Sequence, residues 1–132
     1  MKYAYPIVLT QETTGYWLAQ APDLPGIVVG GESLAEALQA ASDACAMWLA
    51  DAEKNHEAIP VASDPSALTL PANSKAALVL ADTDEYRRRN ESYAVKKTLT
   101  IPAWMAYEAD QRGIGLSQVL QDALRERLGV AK

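Results

Sequence analysis

Residues able to do chemistry are few in this chain of 132, and they are unevenly placed. One cysteine, Cys45, and one histidine, His56, make neither an internal disulfide nor a structural zinc site, which takes about four Cys/His ligands. The acids Glu12, Asp23, Glu36, Asp82 and Asp84 are the candidates for metal-assisted nuclease chemistry, which needs several carboxylates converging on the ions, some of them carried on strands. They fall instead in predicted turns, a helix cap and a predicted linker, and no predicted strand carries an acid. Catalysis is not expected, and no cofactor or metal is implied. The most regular polar set lies near the C-terminus, where Lys96, Thr98 and Thr100 alternate with Leu99 and Ile101. Side chains of these types, standing in a row on one strand face, hydrogen-bond base edges when a two-stranded ribbon enters the DNA major groove.

Charge separates the chain into two parts. Residues 1–93 hold six Lys/Arg and thirteen Asp/Glu, a net of −7, and residues 94–132 hold six and four, a net of +2, recovering the overall −5. An acidic body with a mildly basic tail points to two partners of opposite character. Apolar residues make up 49% and charged residues 22%, close to the globular norm, so wholesale disorder is excluded. Apolar runs are short and interrupted, and no secretory segment follows Met1-Lys2, so a soluble, cytosolic protein without a membrane span is expected.

The elements that must position these residues are readable from spacing. Lys2 to Thr10 predicts a strand with Tyr3, Tyr5, Ile7 and Leu9 on one face, and Pro6 favours an edge or a place where its missing N–H is not needed. A polar turn ending in Gly15 leads to a returning strand, Tyr16 to Ala21. The turn Pro22-Asp23-Leu24-Pro25-Gly26 precedes a third short strand, Ile27-Val28-Val29, stopped by Gly30-Gly31. Ser33-Leu34-Ala35-Glu36 is a capping box opening a helix to about Lys54, with Leu34, Leu38, Ala41, Cys45, Trp48 and Ala52 as its apolar stripe. A proline-rich loop with one short turn near Ser66 follows, then a fourth strand, Ala76 to Ala81. The dense charge from Asp82 to Tyr93 reads as a linker. Strand Val95–Ile101, a helix from Ala103 to about Arg112, a break at Gly113-Ile114-Gly115 and a helix from Leu116 complete the chain.

That tail is too small to hold a core alone, and a lone strand with an apolar face needs a pairing partner. A second copy of the chain is the simplest one. Two antiparallel copies of Val95–Ile101 would bury Leu99 and Ile101 with Met105, Val119, Leu120, Ala123 and Leu124 as a dimer core, turning Lys96, Thr98 and Thr100 outward. Lys97 takes the inward parity, with its stem packed and its ammonium in water at the frayed end of the ribbon. Backbone amides near Gly115, Leu116 and Ser117, opening the last helix, would hold a DNA phosphate. With a net of only +2, affinity would lean on dimerisation to collect phosphate contacts, with a tetramer as the open further step. The alternative is a plain dimerisation edge whose lysine and threonines only guard it against aggregation. In the run Thr98-Leu99-Thr100-Ile101-Pro102, then Gly113, then Ser117, the tail resembles the ribbon-helix-helix repressor fold.

The front half carries Tyr16-Trp17 after a turn glycine, Pro22-Asp23-Leu24-Pro25-Gly26, Gly30 and Ser33-Leu34-Ala35-Glu36-Ala37. In that order these resemble the HicB antitoxin family, from Tyr5 to about Glu53. The likeness continues in Ile101-Pro102-Ala103-Trp104 and Ile114 to Gln121, similar to members with a ribbon-helix-helix tail. What the resemblance implies is an α+β chain: a small antiparallel sheet packed by one long helix, partial RNase H-like, over residues 1–86, a linker over 87–94 and a ribbon-helix-helix domain over 95–132. It also implies two partners, a HicA-type toxin (a small basic mRNA-cleaving ribonuclease) and operator DNA, through which the complex represses its own operon. Gly115 departs from the Asn that such tails often carry at this cap, though glycine is tolerated there.

Trp17 and Asp23 are the candidate toxin contacts. Trp17 is either a core plug or an interface anchor, and Asp23 either an acidic contact or a turn residue bonding its own backbone. Trp48 and Cys45 are expected in the core. A stand-alone ribbon-helix-helix regulator, whose front domain binds a small ligand or another protein, is the alternative to an antitoxin.

Overall fold

Strand β1, Lys2–Gln11, is the spine of an antiparallel four-stranded sheet of order β3-β2-β1-β4, with β2 at Trp17–Gln20, β3 at Val28–Gly31 and β4 at Ser74–Asp82. The computed structural model describes residues 1–130, so the last two residues of the expected tail domain lie outside the described residues. The alternation of β1 turns Tyr5, Ile7 and Leu9 to one face, where they are buried with Ala19 of β2 and Val79 and Ala81 of β4. Each fully buried Ile or Leu there stabilises the fold by about 1.5–3 kcal/mol.

Pro6 is not on an edge strand. It stands opposite Leu78 of β4, and β2 reaches only to Gln20, opposite Val8. Past that point the other side of β1 has no pairing partner, so the absent N–H breaks no ladder bond. Gly30 and Gly31 do not stop β3 but lie within it, opposite Leu18 and Trp17. A Cβ on Gly31 would come within 2.6 Å of Glu36 Cβ and 2.7 Å of Ala37 N, so glycine is what lets β3 pass so close to the following helix.

That helix, α1, spans Leu34–Lys54 as its pattern predicts. Glu36 N–H donates to Ser33 Oγ at 3.1 Å, and the Glu36 carboxylate accepts from Glu32 N–H at 3.0 Å, one residue before the expected cap position. Its inward face is Ala37, Ala41, Cys45, Leu49 and Ala52, all buried, while Leu34, Leu38 and Trp48 are displaced to half-buried flanks. Small residues at the centre of the face bring the helix axis close to the sheet. The segment after α1 contains one short 3₁₀ turn, Pro65–Ala67.

The expected linker is instead largely a helix, α2, at Thr83–Asn90. Asp82, the last residue of β4, caps it by accepting from Asp84 N–H (3.1 Å) and Glu85 N–H (3.2 Å). Hence one strand does end in an acid, and that acid is spent on a cap. Acids in the first turn and Arg87, Arg88 and Arg89 in the last turn oppose the helix dipole correctly. Arg87 fixes α2 to α1: its Nη2 donates to Glu53 Oε1 at 2.8 Å and to the Ala50 carbonyl at 3.2 Å, and Tyr3 Oη donates to Glu53 Oε2 at 2.8 Å.

Two compact units result, Met1–Tyr93 and Ala94–Lys132. The second contains α3, Ala103–Gln111, and α4, Leu116–Leu128, with Gly113 and Gly129 in the left-handed region (φ 64° and 70°) where the two helices end. Residues 94–101 form no helix or strand, and the four-stranded sheet is drawn wholly from residues 2–82. An extended segment becomes a strand only when a neighbour supplies its hydrogen bonds, and a single chain supplies none for this one.

Desolvation acts to raise the Glu53 carboxyl, but the neighbouring Thr83 hydroxyl and the hydrogen bonds from Arg87 and Tyr3 outweigh it and hold the group below its ordinary value of 4.5. A depressed carboxyl contributes stability that is fully present above the unfolded-state value and is lost as pH falls through the lower folded value. Urea unfolding of Arg87→Ala at pH 7 is expected to show a loss of about 1–2 kcal/mol, the pair being partly screened by solvent. Glu53→Gln should in addition flatten the decline of stability below about pH 5. An acid limb identical to that of the wild type would contradict this assignment.

Candidate functional site

The two residues singled out in the front unit are placed differently. Asp23 is half-buried, and its carboxylate accepts from Ser63 N–H at 2.9 Å and Ser63 Oγ at 2.5 Å, tying the loop after α1 to the turn before β3. Its carboxylate therefore bonds a distant loop and not the turn's own backbone. Trp17 is half-buried at the end of the inner face, opposite Gly31, with the Lys75 ammonium 5.3 Å from its ring centroid. The two do not share one pocket.

A groove of about 520 Å³ lies elsewhere on this unit. It is lined by Ala44 and Met47 of α1, by Ile27 just before β3, by Val28 and Val29 of β3 and by Tyr86 of α2. Trp48 stands at its side and donates from Nε1 to the Pro25 carbonyl at 3.2 Å. Met47 is 54% exposed and Val28 60%. Asp51 and Glu91 line the groove, together with the cation Lys54. Sequence reasoning missed this surface, because it gave Met47 no role and took the α2 segment as linker. The readable signal was an apolar residue at i+4 from Asp43 and i−4 from Asp51, on the polar side of an amphipathic helix.

In the second unit Lys96, Thr98 and Thr100 are exposed, as are Gly115, Leu116 and Ser117. Gly115 caps α4 with no side-chain hydrogen bond, leaving the first-turn amides without a side-chain acceptor. Leu99, Ile101, Met105, Val119, Leu120, Ala123 and Leu124 are all exposed in the single chain, Leu99 to 61%. Ala109 is the one buried residue among the described residues of this unit. So many large apolar side chains exposed on so small a unit are unusual for a monomeric domain.

Among the described residues no group of three or more His, Cys, Asp or Glu is placed to hold a metal ion, and no helix is long and apolar enough to cross a membrane. Cys45 is fully buried on α1, and burial pushes its thiol up to about 11.

A small antiparallel sheet under one long helix, joined to a two-helix unit with its apolar side chains exposed, defines an α+β protein. Residues 5–115 match the family described as HicB-like antitoxin of bacterial toxin–antitoxin systems, and the chain belongs to that family. Among solved structures, it is similar to a chain of a toxin–antitoxin complex from Streptococcus pneumoniae, at 26% identity and a TM-score of 0.64, covering 96% of this chain and 99% of that one. It also shares its fold with the antitoxin HicB of Burkholderia pseudomallei, at 20% identity and a TM-score of 0.55, covering 96% and 98%. A search of curated proteins found no match.

The burial of Cys45 gives a simple check on this description of the front unit. At pH 7–8 a thiol reagent should label the native protein far more slowly than the urea-unfolded chain. Equal labelling rates in the two states would contradict it.

Proposed function

We propose that this chain is the antitoxin of a HicA/HicB-type pair, acting by occlusion rather than catalysis. Its front unit covers a small basic ribonuclease toxin, and its tail binds operator DNA as a ribbon-helix-helix dimer to repress the shared operon. The observation that carries the reading is a change of both charge and completeness at one point in the chain. Up to residue 93 the chain is net −7 with a closed core, and from residue 94 it is net +2 with its apolar side chains uncovered. An anionic unit favours encounter with a cationic protein. An unfinished unit of 39 residues calls for a second copy to complete it. Family membership and the likeness to a chain of a toxin–antitoxin complex support the toxin as partner.

In the dimer, strands 95–101 of two chains pair antiparallel. Leu99 and Ile101 then join Met105, Val119, Leu120, Ala123 and Leu124 inside, while Lys96, Thr98 and Thr100 face the major groove. The uncapped amides at Gly115, Leu116 and Ser117 take a phosphate on each side, fixing the ribbon's register on the duplex.

Co-expression with the small protein encoded beside this chain tests the whole reading: growth should be rescued and a stable complex isolated. Thr98→Ala combined with Thr100→Ala should weaken binding to DNA from upstream of its own coding region by about tenfold or more. Dimerisation and growth rescue should survive those changes. Equal loss of DNA binding and rescue would mean that the two-module division is mistaken.

A further inference from the structure

Resting on the antitoxin reading above, we infer that the toxin seats on the groove between β3 and α2, inserting an apolar side chain flanked by Lys or Arg. Three observations point to this surface. First, it is concave and apolar at its centre: Met47, 54% exposed, lines with Ile27, Val29, Trp48 and Tyr86 a volume of about 520 Å³. That is room for one or two large side chains. Second, the types of residue suit protein recognition. Trp48 and Tyr86 are held half-buried by the core beneath them and offer rigid aromatic surface, while Met47 adapts its shape to an incoming group. Third, the charge at the groove selects a cation. Asp51 and Glu91 outnumber Lys54 there, and on the neighbouring flank Asp43 is already neutralised by Arg89 at 3.3 Å.

Other occupants fit less well. A second copy of the front unit would bring the same net −7 against this one, a like-charge approach that disfavours pairing. The exposed leucines of β4, Leu78 and Leu80, lie side by side on the sheet's other face without an aromatic anchor, and Asp82, the acid on that strand, is occupied in capping α2. Of these two surfaces of the front unit, it is the groove that joins an apolar centre to acids not engaged elsewhere.

The test uses the full chain and the small protein encoded beside it, with affinity measured in solution and oligomeric state by sedimentation. Met47→Glu sits at an exposed helical position, so folding and dimerisation should be unchanged. Its affinity for the toxin should fall at least tenfold. Asp51→Lys, a pure surface charge reversal, should slow association several-fold and carries the test alone if the first variant does not fold. Leu78→Glu should stay within twofold of the wild type. Both groove variants within twofold of the wild type, a large loss confined to Leu78→Glu, or a change of oligomeric state with toxin affinity intact would each overturn the assignment. A wild-type chain that binds no toxin at all would instead remove the antitoxin reading, and this inference with it.

Discussion

Close approach of α1 to the sheet is the constraint on which the remainder of the front unit depends. The helix turns Ala37, Ala41, Cys45 and Ala52 inward, with Leu49 as the single large residue of that row, against Tyr5, Ile7 and Leu9 of β1. Interiors pack at nearly crystalline density, so side chains this small oblige the backbones to come together. Glycine is then forced on β3, because a Cβ at Gly31 would collide with the first turn of α1. The larger apolar residues of the helix cannot enter the narrow layer and spread to its flanks. Trp48 is one of them, and its flanking position is why it walls a groove rather than fills a core.

A second layer is set by charge. The Glu53 carboxylate is shared by Tyr3 from β1 and Arg87 from α2, so one ion holds the start of the sheet, the end of α1 and the added helix in a fixed relation. Half-exposed ion pairs contribute modestly to stability, but this one is hydrogen-bonded from two sides and partly shielded, which favours a defined geometry over raw strength. The Thr83 N–H and hydroxyl both donate to the Met1 carbonyl, which fastens α2 to the sheet a second time. Without these ties Tyr86 would have no reason to stay against α1.

Much of this was legible in the sequence, for identifiable reasons. Helix α1 was readable because its cap chemistry and its 3.6-residue period agree, and the hairpin because turn glycines separate alternating runs. The turn to which Asp23 belongs was readable too, but its partner Ser63 was not, since a contact across 40 positions leaves no local trace. Reading charge density as a linker failed at α2 because order matters more than density. An Asp cap, then acids, then arginines is the pattern of a helix whose ends are electrostatically satisfied. Pro6 took the second of its two expected settings: a proline excludes a hydrogen bond on one side of a strand, and in β1 that side is unpaired for reasons of length. The groove was hidden because burial, not type, distinguishes Met47 from a core methionine.

The tail poses the opposite problem, since its sequence is more complete than its single-chain structure. Residues 95–101 have the alternation of a strand and the structure of none, while both helices form as their caps and glycines direct. Local propensity is satisfied by one chain, whereas a ladder and a core are not. In the dimer proposed above, a second copy supplies one antiparallel edge and one apolar face under a two-fold axis. If that partner is a second copy, the stability of the tail cannot be separated from protomer concentration, because a monomer with Leu99, Ile101 and Leu124 in water has little to hold it together. The front unit, closed around its own core, carries no such dependence. One module would then report how much of the protein is present, and the other would hold a partner regardless.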